Sequence, residues 1–223
     1  MGSEPQSPED GTCGTRHADA PAWRRAVPWL VFLFLTVVGT SADLWTKQAA
    51  FSSLLDRPES VRRIRFARSS LGPDASAAQI LRHAGIREPV GAGVEWTLQT
   101  NPGVVFGLRL PRWLVGVATG AAIVLVGWFF VCSSATARVL HAALGCVLAG
   151  ALGNLYDRLI ATVDLPAGGG TIRRQVRDFI NCDALGWPWV YNIADALLVI
   201  GLGLLLIHFY LEGRRERKAK QAV

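Results

Sequence analysis

Four runs of about twenty residues, roughly 27–47, 113–131, 138–160 and 189–211, are almost free of charge. A helix rises ~1.5 Å per residue, so each run is long enough to cross the ~30 Å hydrocarbon core of a bilayer. Backbone groups in lipid have no water to bond, and a helix satisfies them within its own segment. One soluble domain of 223 residues would not need such runs, even at 51% hydrophobic content. The expected fold is therefore an all-α membrane protein, four transmembrane helices with a small extracytoplasmic β-strand and loop cap. The link Cys132 to Ala137 is too short to separate its flanking runs, which are expected to be antiparallel neighbours.

The charge of +6 gathers at the ends of this plan. Arg24 and Arg25 precede the first run, while Arg214, Arg215, Arg217, Lys218 and Lys220 follow the last. Basic flanks mark the cytoplasmic side, so both termini are expected there, with the two long connections on the opposite face of the membrane. Long loops translocate largely regardless of charge, so Arg57, Arg62, Arg63, Arg65 and Arg68 do not overrule this orientation. A nucleic-acid partner would need a basic face on a soluble domain, and none is expected. Cys13, Cys132, Cys146 and Cys182 are scattered, as are the histidines, so neither a metal nor another cofactor is expected.

Residues 1–22 read as a disordered cytoplasmic tail, 23–212 as the membrane domain and 213–223 as a basic cytoplasmic tail. A cleaved leader is the rival for the first run, with Thr40-Ser-Ala42 as its processing site. The long acidic segment ahead and the acid–base pair beyond it speak against that. In the first connection, Ala75 to Ile86 suits a short helix capped by Asp74. Val94 to Leu98 alternates like a strand, and Asn101-Pro-Gly103 signals a turn.

Ionisable groups at membrane depth mark function by default. Asn154, Asp157 and Arg158 share one helix face at i, i+3 and i+4, where Asp157 neutralised by Arg158 is the bland structural reading. Asn154, one turn deeper, suits ordering a loop or a catalytic group. Asn192 and Asp195 are also i, i+3, with Asp195 about ~6 Å inside the outer boundary. Asp178 is an ordinary loop acid unless the chain folds it back over Asp195. Two carboxyls sharing a site cannot both ionise; one keeps a proton while its partner activates water. Asp43 and Lys47 are spaced as a helical ion pair, and a serine–lysine dyad with Ser41 or Ser52 is a rival use of that lysine. A proton- or cation-coupled transporter relaying through Asp157, Asp178 and Asp195 is the alternative from another class. It would predict broken helices or repeated halves, which the sequence does not display.

Five segments, in order, resemble the bacterial lipoprotein signal peptidases (signal peptidase II). They are Asp43-Leu-Trp-Thr-Lys47, Asn101-Pro-Gly103-Val-Val-Phe106, Gly150-Ala-Leu-Gly153-Asn154-Leu-Tyr-Asp157-Arg158, Val176-Arg-Asp178-Phe179 and Trp187-Pro188-Trp-Val-Tyr-Asn192-Ile-Ala194-Asp195. The resemblance, over about residues 26–212, implies an aspartic endopeptidase that cleaves prolipoproteins before a diacylglyceryl-modified cysteine. It implies Asp178 and Asp195 as the catalytic pair and sensitivity to globomycin. Asn101, Gly103, Asn154, Arg158 and Asn192 would hold substrate or orient the pair, with Asp43, Lys47 and Asp157 as structural support. The expected partners are the lipid-modified precursor and membrane lipid, with the chain acting as a monomer and its site near the extracytoplasmic face. Three regions depart from the pattern: the long N-terminal tail, roughly forty extra residues at about 52–91, which loop closure readily permits, and a lengthened stretch between Arg158 and Asp178. Arg177 also stands where an apolar residue is expected, beside an acid whose pKa it would lower.

Overall fold

A computed structural model describes residues 20–105, 108–109 and 111–221, with the side chains of 104, 105, 108, 109 and 112 left aside. The expected tail up to residue 19, Phe106 of the turn motif, and residues 222–223 lie outside the described residues.

Among the described residues, four helices are long and apolar enough to span a membrane: α1 (Ala26–Leu55), α4 (Arg112–Cys132), α5 (Arg138–Leu159) and α6 (Ile193–Gln221). Between α1 and α4 lie α2 (Pro58–Leu71), α3 (Ala77–Ala84), β1 (Arg87–Gly91), β2 (Val94–Asn101), β3 (Val104–Val105) and β4 (Leu108–Arg109). Between α5 and α6 lie β5 (Thr162–Leu165), β6 (Gly170–Arg173), β7 (Val176–Cys182) and β8 (Trp187–Tyr191).

Helix α5 is the buried centre of the bundle and α4 its exposed edge. Small residues explain why. A Cβ on Gly145 would lie 2.9 Å from the Phe32 carbonyl oxygen, Gly39 has the same conflict with Ala149 at 2.8 Å, and one on Gly153 would strike the Asp43 carboxylate. Positions 145, 149 and 153 thus form a ladder of small residues on which α1 lies at backbone distance, as membrane helices pack when lipid is as apolar as their side chains. On the adjoining face Gly150 meets the Ala194 backbone, seating α6.

Helix α1 runs to Leu55, beyond the expected end near 47, because no breaker interrupts it before Pro58, which starts α2. At ~1.5 Å per residue it exceeds a bilayer, and its last turns project into a second layer. There Phe51, Leu54 and Leu55 join Ile64, Ala67, Ile80, Leu81, Leu98, Val163 and Phe179 in one core. The extra segment is thus structured: α2, α3 and edge strand β1 cover this layer. Helix α3 is capped by Ser76 in a reciprocal capping box with Gln79, not by Asp74, and closes on Gly85 at φ 56°.

The all-α expectation needs correction. The connections build a four-stranded antiparallel sheet in the order β1-β2-β7-β8, with the β3–β4 and β5–β6 hairpins beside it. Trp187–Tyr191 is apolar and abuts the apolar run of α6, so hydropathy alone merges strand and helix into one segment. Pro188 and the cap at Asn192 separate them, and α6 begins at Ile193 rather than near 189. At the opposite end of the bundle a smaller core of Ala22, Phe32, Phe130, Leu140 and Leu144 forms, and the Ala22 N–H donates to the Ser133 carbonyl at 2.8 Å.

Candidate active site

The β7–β8 hairpin pairs Ile180 with Tyr191 and Cys182 with Trp187, folding the start of α6 back beside Asp178. Asn192 then caps α6: its Oδ1 accepts from the Asp195 N–H at 3.0 Å. Its Nδ2 donates to Asp178 Oδ1 at 2.6 Å and to Asn154 Oδ1 at 3.3 Å. From α5, Asn154 Nδ2 donates to Asp195 Oδ1 at 2.8 Å. Two asparagines therefore tether the two acids from opposite elements. Asp195 lies in the first turn of α6, not a full turn inside an apolar helix.

The acids differ in setting. Asp178 is buried, whereas Asp195 is half-buried and lines a groove of about 470 Å³ with Cys182, Leu185, Trp187, Tyr191 and Val199. Burial first, then the neighbouring Asp195 charge, pushes the Asp178 carboxyl up to about 8, against the opposing Asn192 hydrogen bond and Lys47 charge. Such a carboxyl holds its proton near neutral pH.

Behind the pair lies a buried ionic cluster. Lys47 Nζ meets Asp43 Oδ2 at 2.7 Å, Asp157 Oδ2 at 3.0 Å and Asn154 Oδ1 at 3.0 Å. Asp43 Oδ1 also accepts the Ala194 N–H at 2.8 Å, linking α1 to the first turn of α6. None of these Lys47 partners is a serine, and Ser52 Oγ bonds its own helix at Gln48 O, 2.8 Å away, which disfavours the serine–lysine reading. Arg158 does not neutralise Asp157. Successive helix residues point about 100° apart; Asp157 turns to Lys47 and Arg177, while Arg158 Nη1 bonds Asn154 O at 3.2 Å. Arg158 lines a second groove of about 300 Å³ with Pro102, Gly103, Trp113 and Leu155. Gly103, at φ 110°, donates its N–H to Asn101 Oδ1 at 2.9 Å, so the expected turn borders this groove.

Arg177 departs from expectation too. Neighbouring strand residues face opposite sides, so it packs behind Asp178 against Asp157, and burial with the Asp195 charge raises the Asp178 carboxyl despite the cation next to it in sequence. Gln48, which accepts from Arg177 Nη1 at 3.1 Å, carries no motif and was invisible to sequence reasoning. The Ala194 N–H on Asp43 was equally hidden, because a backbone donor leaves no trace in residue type.

Residues 35–211 match the family described as Peptidase_A8, Signal peptidase (SPase) II. A lipoprotein signal peptidase of Rhodopirellula baltica is 30% identical over 206 residues, covering 92% of this chain and 80% of its own length. One of Shouchella clausii is 35% identical over 120 residues, 53% of this chain and 70% of that protein. A bacterial membrane enzyme solved in meso at 2.3 Å resolution shares the fold, with a TM-score of 0.53 at 20% identity over 84% of this chain and 89% of that one. With most of its length matched and its spans, hairpin and acids assembled at one end of the bundle, this chain belongs to the signal peptidase II family.

Proposed function

We propose that this protein is a membrane aspartic endopeptidase that removes signal peptides from prolipoproteins, with Asp178 and Asp195 as its catalytic pair. The observation that carries the reading is the tether Asp178–Asn192–Asn154–Asp195, which holds a buried acid and a groove-facing acid together. Asp178 keeps the proton, and Asp195 is the carboxylate. Asp195 takes a proton from a water that attacks the scissile carbonyl, while Asp178 protonates the carbonyl oxygen. The tetrahedral diol then collapses: Asp195 returns its proton to the leaving nitrogen, and Asp178 recovers one from the diol. Asn154 and Asn192 orient the pair without changing charge.

The groove beside Asp195 is walled by Leu185, Trp187, Val199 and Ile200, which suits an apolar signal segment arriving from the membrane. The lipid-bearing cysteine of the precursor stays at the bilayer surface, so cleavage belongs where the bundle meets the outer leaflet, with both termini cytoplasmic. Arg158 and Gly103, which line the second groove, and Asn101, whose Oδ1 accepts the Gly103 N–H, are assigned to the substrate backbone. A transporter relay is disfavoured because Asp157 is closed off between Lys47 and Arg177.

The test is cleavage of a diacylglyceryl-modified precursor by purified protein, followed by mass spectrometry of the product's N-terminal cysteine. Asp178→Asn and Asp195→Asn each abolish turnover while leaving the protein folded in detergent. Near-normal turnover in either variant removes the mechanism.

A further inference from the structure

Arg177 has no part in the chemistry above, yet it shares with Lys47 the buried ionic cluster behind the pair. It is 5% exposed on its side chain. Its Nε lies 2.9 Å and its Nη2 2.8 Å from Asp157 Oδ1, and its backbone N–H donates to Asp157 Oδ2 at 3.1 Å. Its Nη1 reaches Gln48 Oε1 at 3.1 Å. One side chain thus pins strand β7, which carries Asp178, to both α5 and α1.

Among the described residues, four elements supply the charges facing the pair. Helix α1 supplies Asp43 and Lys47, α5 supplies Asp157 and Arg158, α6 supplies Asp195, and β7 supplies Arg177 and Asp178. Strand β2 places uncharged Gln99 opposite Asp178, and β8 contributes no charge. Four acids therefore stand against three cations, and the cluster is neutral when a single proton remains on it. An uncompensated charge in such a setting is strongly disfavoured. Removing Arg177 would leave Lys47 to balance both Asp43 and Asp157, and the negative charge of Asp157 would bear directly on Asp178.

We infer that Arg177 is a positioning residue which neutralises Asp157 and so sets the catalytic pair to hold one proton at working pH. Lys47 is then free to hold Asn154, the residue that orients Asp195. This inference rests on the Asp178–Asp195 reading.

The experiment is the pH profile of kcat/KM for precursor cleavage by the full-length protein in detergent, with thermal unfolding recorded for each variant. Arg177→Gln moves both limbs of the profile to higher pH, by on the order of one unit for a charge lost at ~10 Å in a medium of effective dielectric ~20. Arg177→Lys keeps the charge and returns the limbs towards wild type. The double variant Arg177→Gln/Asp157→Asn removes one charge of each sign, and its limbs also return. A merely structural role would lower kcat equally at all pH values, with the lysine variant no better than the glutamine one. An unmoved Arg177→Gln profile overturns the inference. If that variant does not fold, displaced limbs in the double variant overturn it, and limbs at the wild-type position sustain it. Asp178→Asn is assayed in parallel: retained cleavage there removes the underlying reading, whereas an inactive Asp178→Asn with an unmoved Arg177→Gln profile removes only the role given to Arg177.

Discussion

Replacing Lys47 with methionine isolates the charge at the centre of the cluster, since the two side chains are similar in length and the position is fully buried. The loss falls unequally on the two acids it serves. Asp157 keeps Arg177 at 2.8 Å, but Asp43 is left with only the Ala194 N–H at 2.8 Å. An uncompensated buried carboxylate of this kind costs about 3–5 kcal/mol. At ~2–4 °C per kcal/mol for a chain of this size, that is a fall in Tm of roughly 6–20 °C. Asn154 Oδ1 also loses its 3.0 Å donor and keeps only the 3.3 Å contact from Asn192, so Asp195 is oriented less tightly and cleavage slows. The assay is thermal unfolding in one detergent at several scan rates, beside precursor cleavage at a temperature where both proteins are folded. The double variant Lys47→Met/Asp43→Asn removes the orphaned charge and recovers most of the lost stability. A single variant within ~1 kcal/mol of wild type, or a double variant no better than the single, would refute the argument that Lys47 acts as the counter-charge of Asp43.

The raised carboxyl gives a pH prediction with a definite sign: cleavage falls on the alkaline side as Asp178 loses its proton near about 8, read from kcat/KM. Native Asp178 binds a proton between its ordinary 3.8 and about 8 that the unfolded chain releases, so stability declines with rising pH across that window. Urea titrations should show that slope reduced by about 1.4 kcal/mol per pH unit in Asp178→Asn. In Gly153→Ala the new methyl meets the Asp43 carboxylate and lies 3.3 Å from Ala194 Cβ, so stability drops by about 1–3 kcal/mol and cleavage with it, by the same two assays. Ser76→Ala removes a capping box far from the acids and lowers stability by about 1 kcal/mol without changing kcat/KM.

The spans were readable because a bilayer imposes one length and one composition on every segment that crosses it. Asp157 and Asp195 were readable because charge is rare in such segments, whereas Asp178, on a strand, stood out only through the motif around it. The strands around them were much less visible. Val176–Cys182 is buried at six of its seven positions, so it lacks the polar alternation of a strand with one wet face. Its burial comes from the flanking strands β2 and β8 and from α1 and α5, most of them partners no local window contains. The expected cap at Asp74 failed for a related reason: Asp74 and Ser76 both suit the role, and only the reciprocal bond with Gln79 decides between them.

The ionic cluster shows why residue spacing locates the acids better than it assigns their partners. Asp157 and Arg158 are adjacent and opposite in charge, yet the helix turns them apart, and Asp157 finds cations from α1 and β7. Asp178 and Arg177 are adjacent too, and the strand sends them to opposite faces. In each case the neighbour in sequence is the wrong partner, because the backbone of a helix or a strand separates consecutive side chains. The i, i+3 and i, i+4 relations survive folding: Asp43 with Lys47 on α1, and Asn192 with Asp195 across the cap of α6. The site joins these two locally encoded pairs through Asn154, and the Lys47–Asn154–Asp195 chain of bonds exists only because Gly150 and Gly153 let α1 and α6 close on α5. Small residues on one helix thus decide whether acids on three other elements meet.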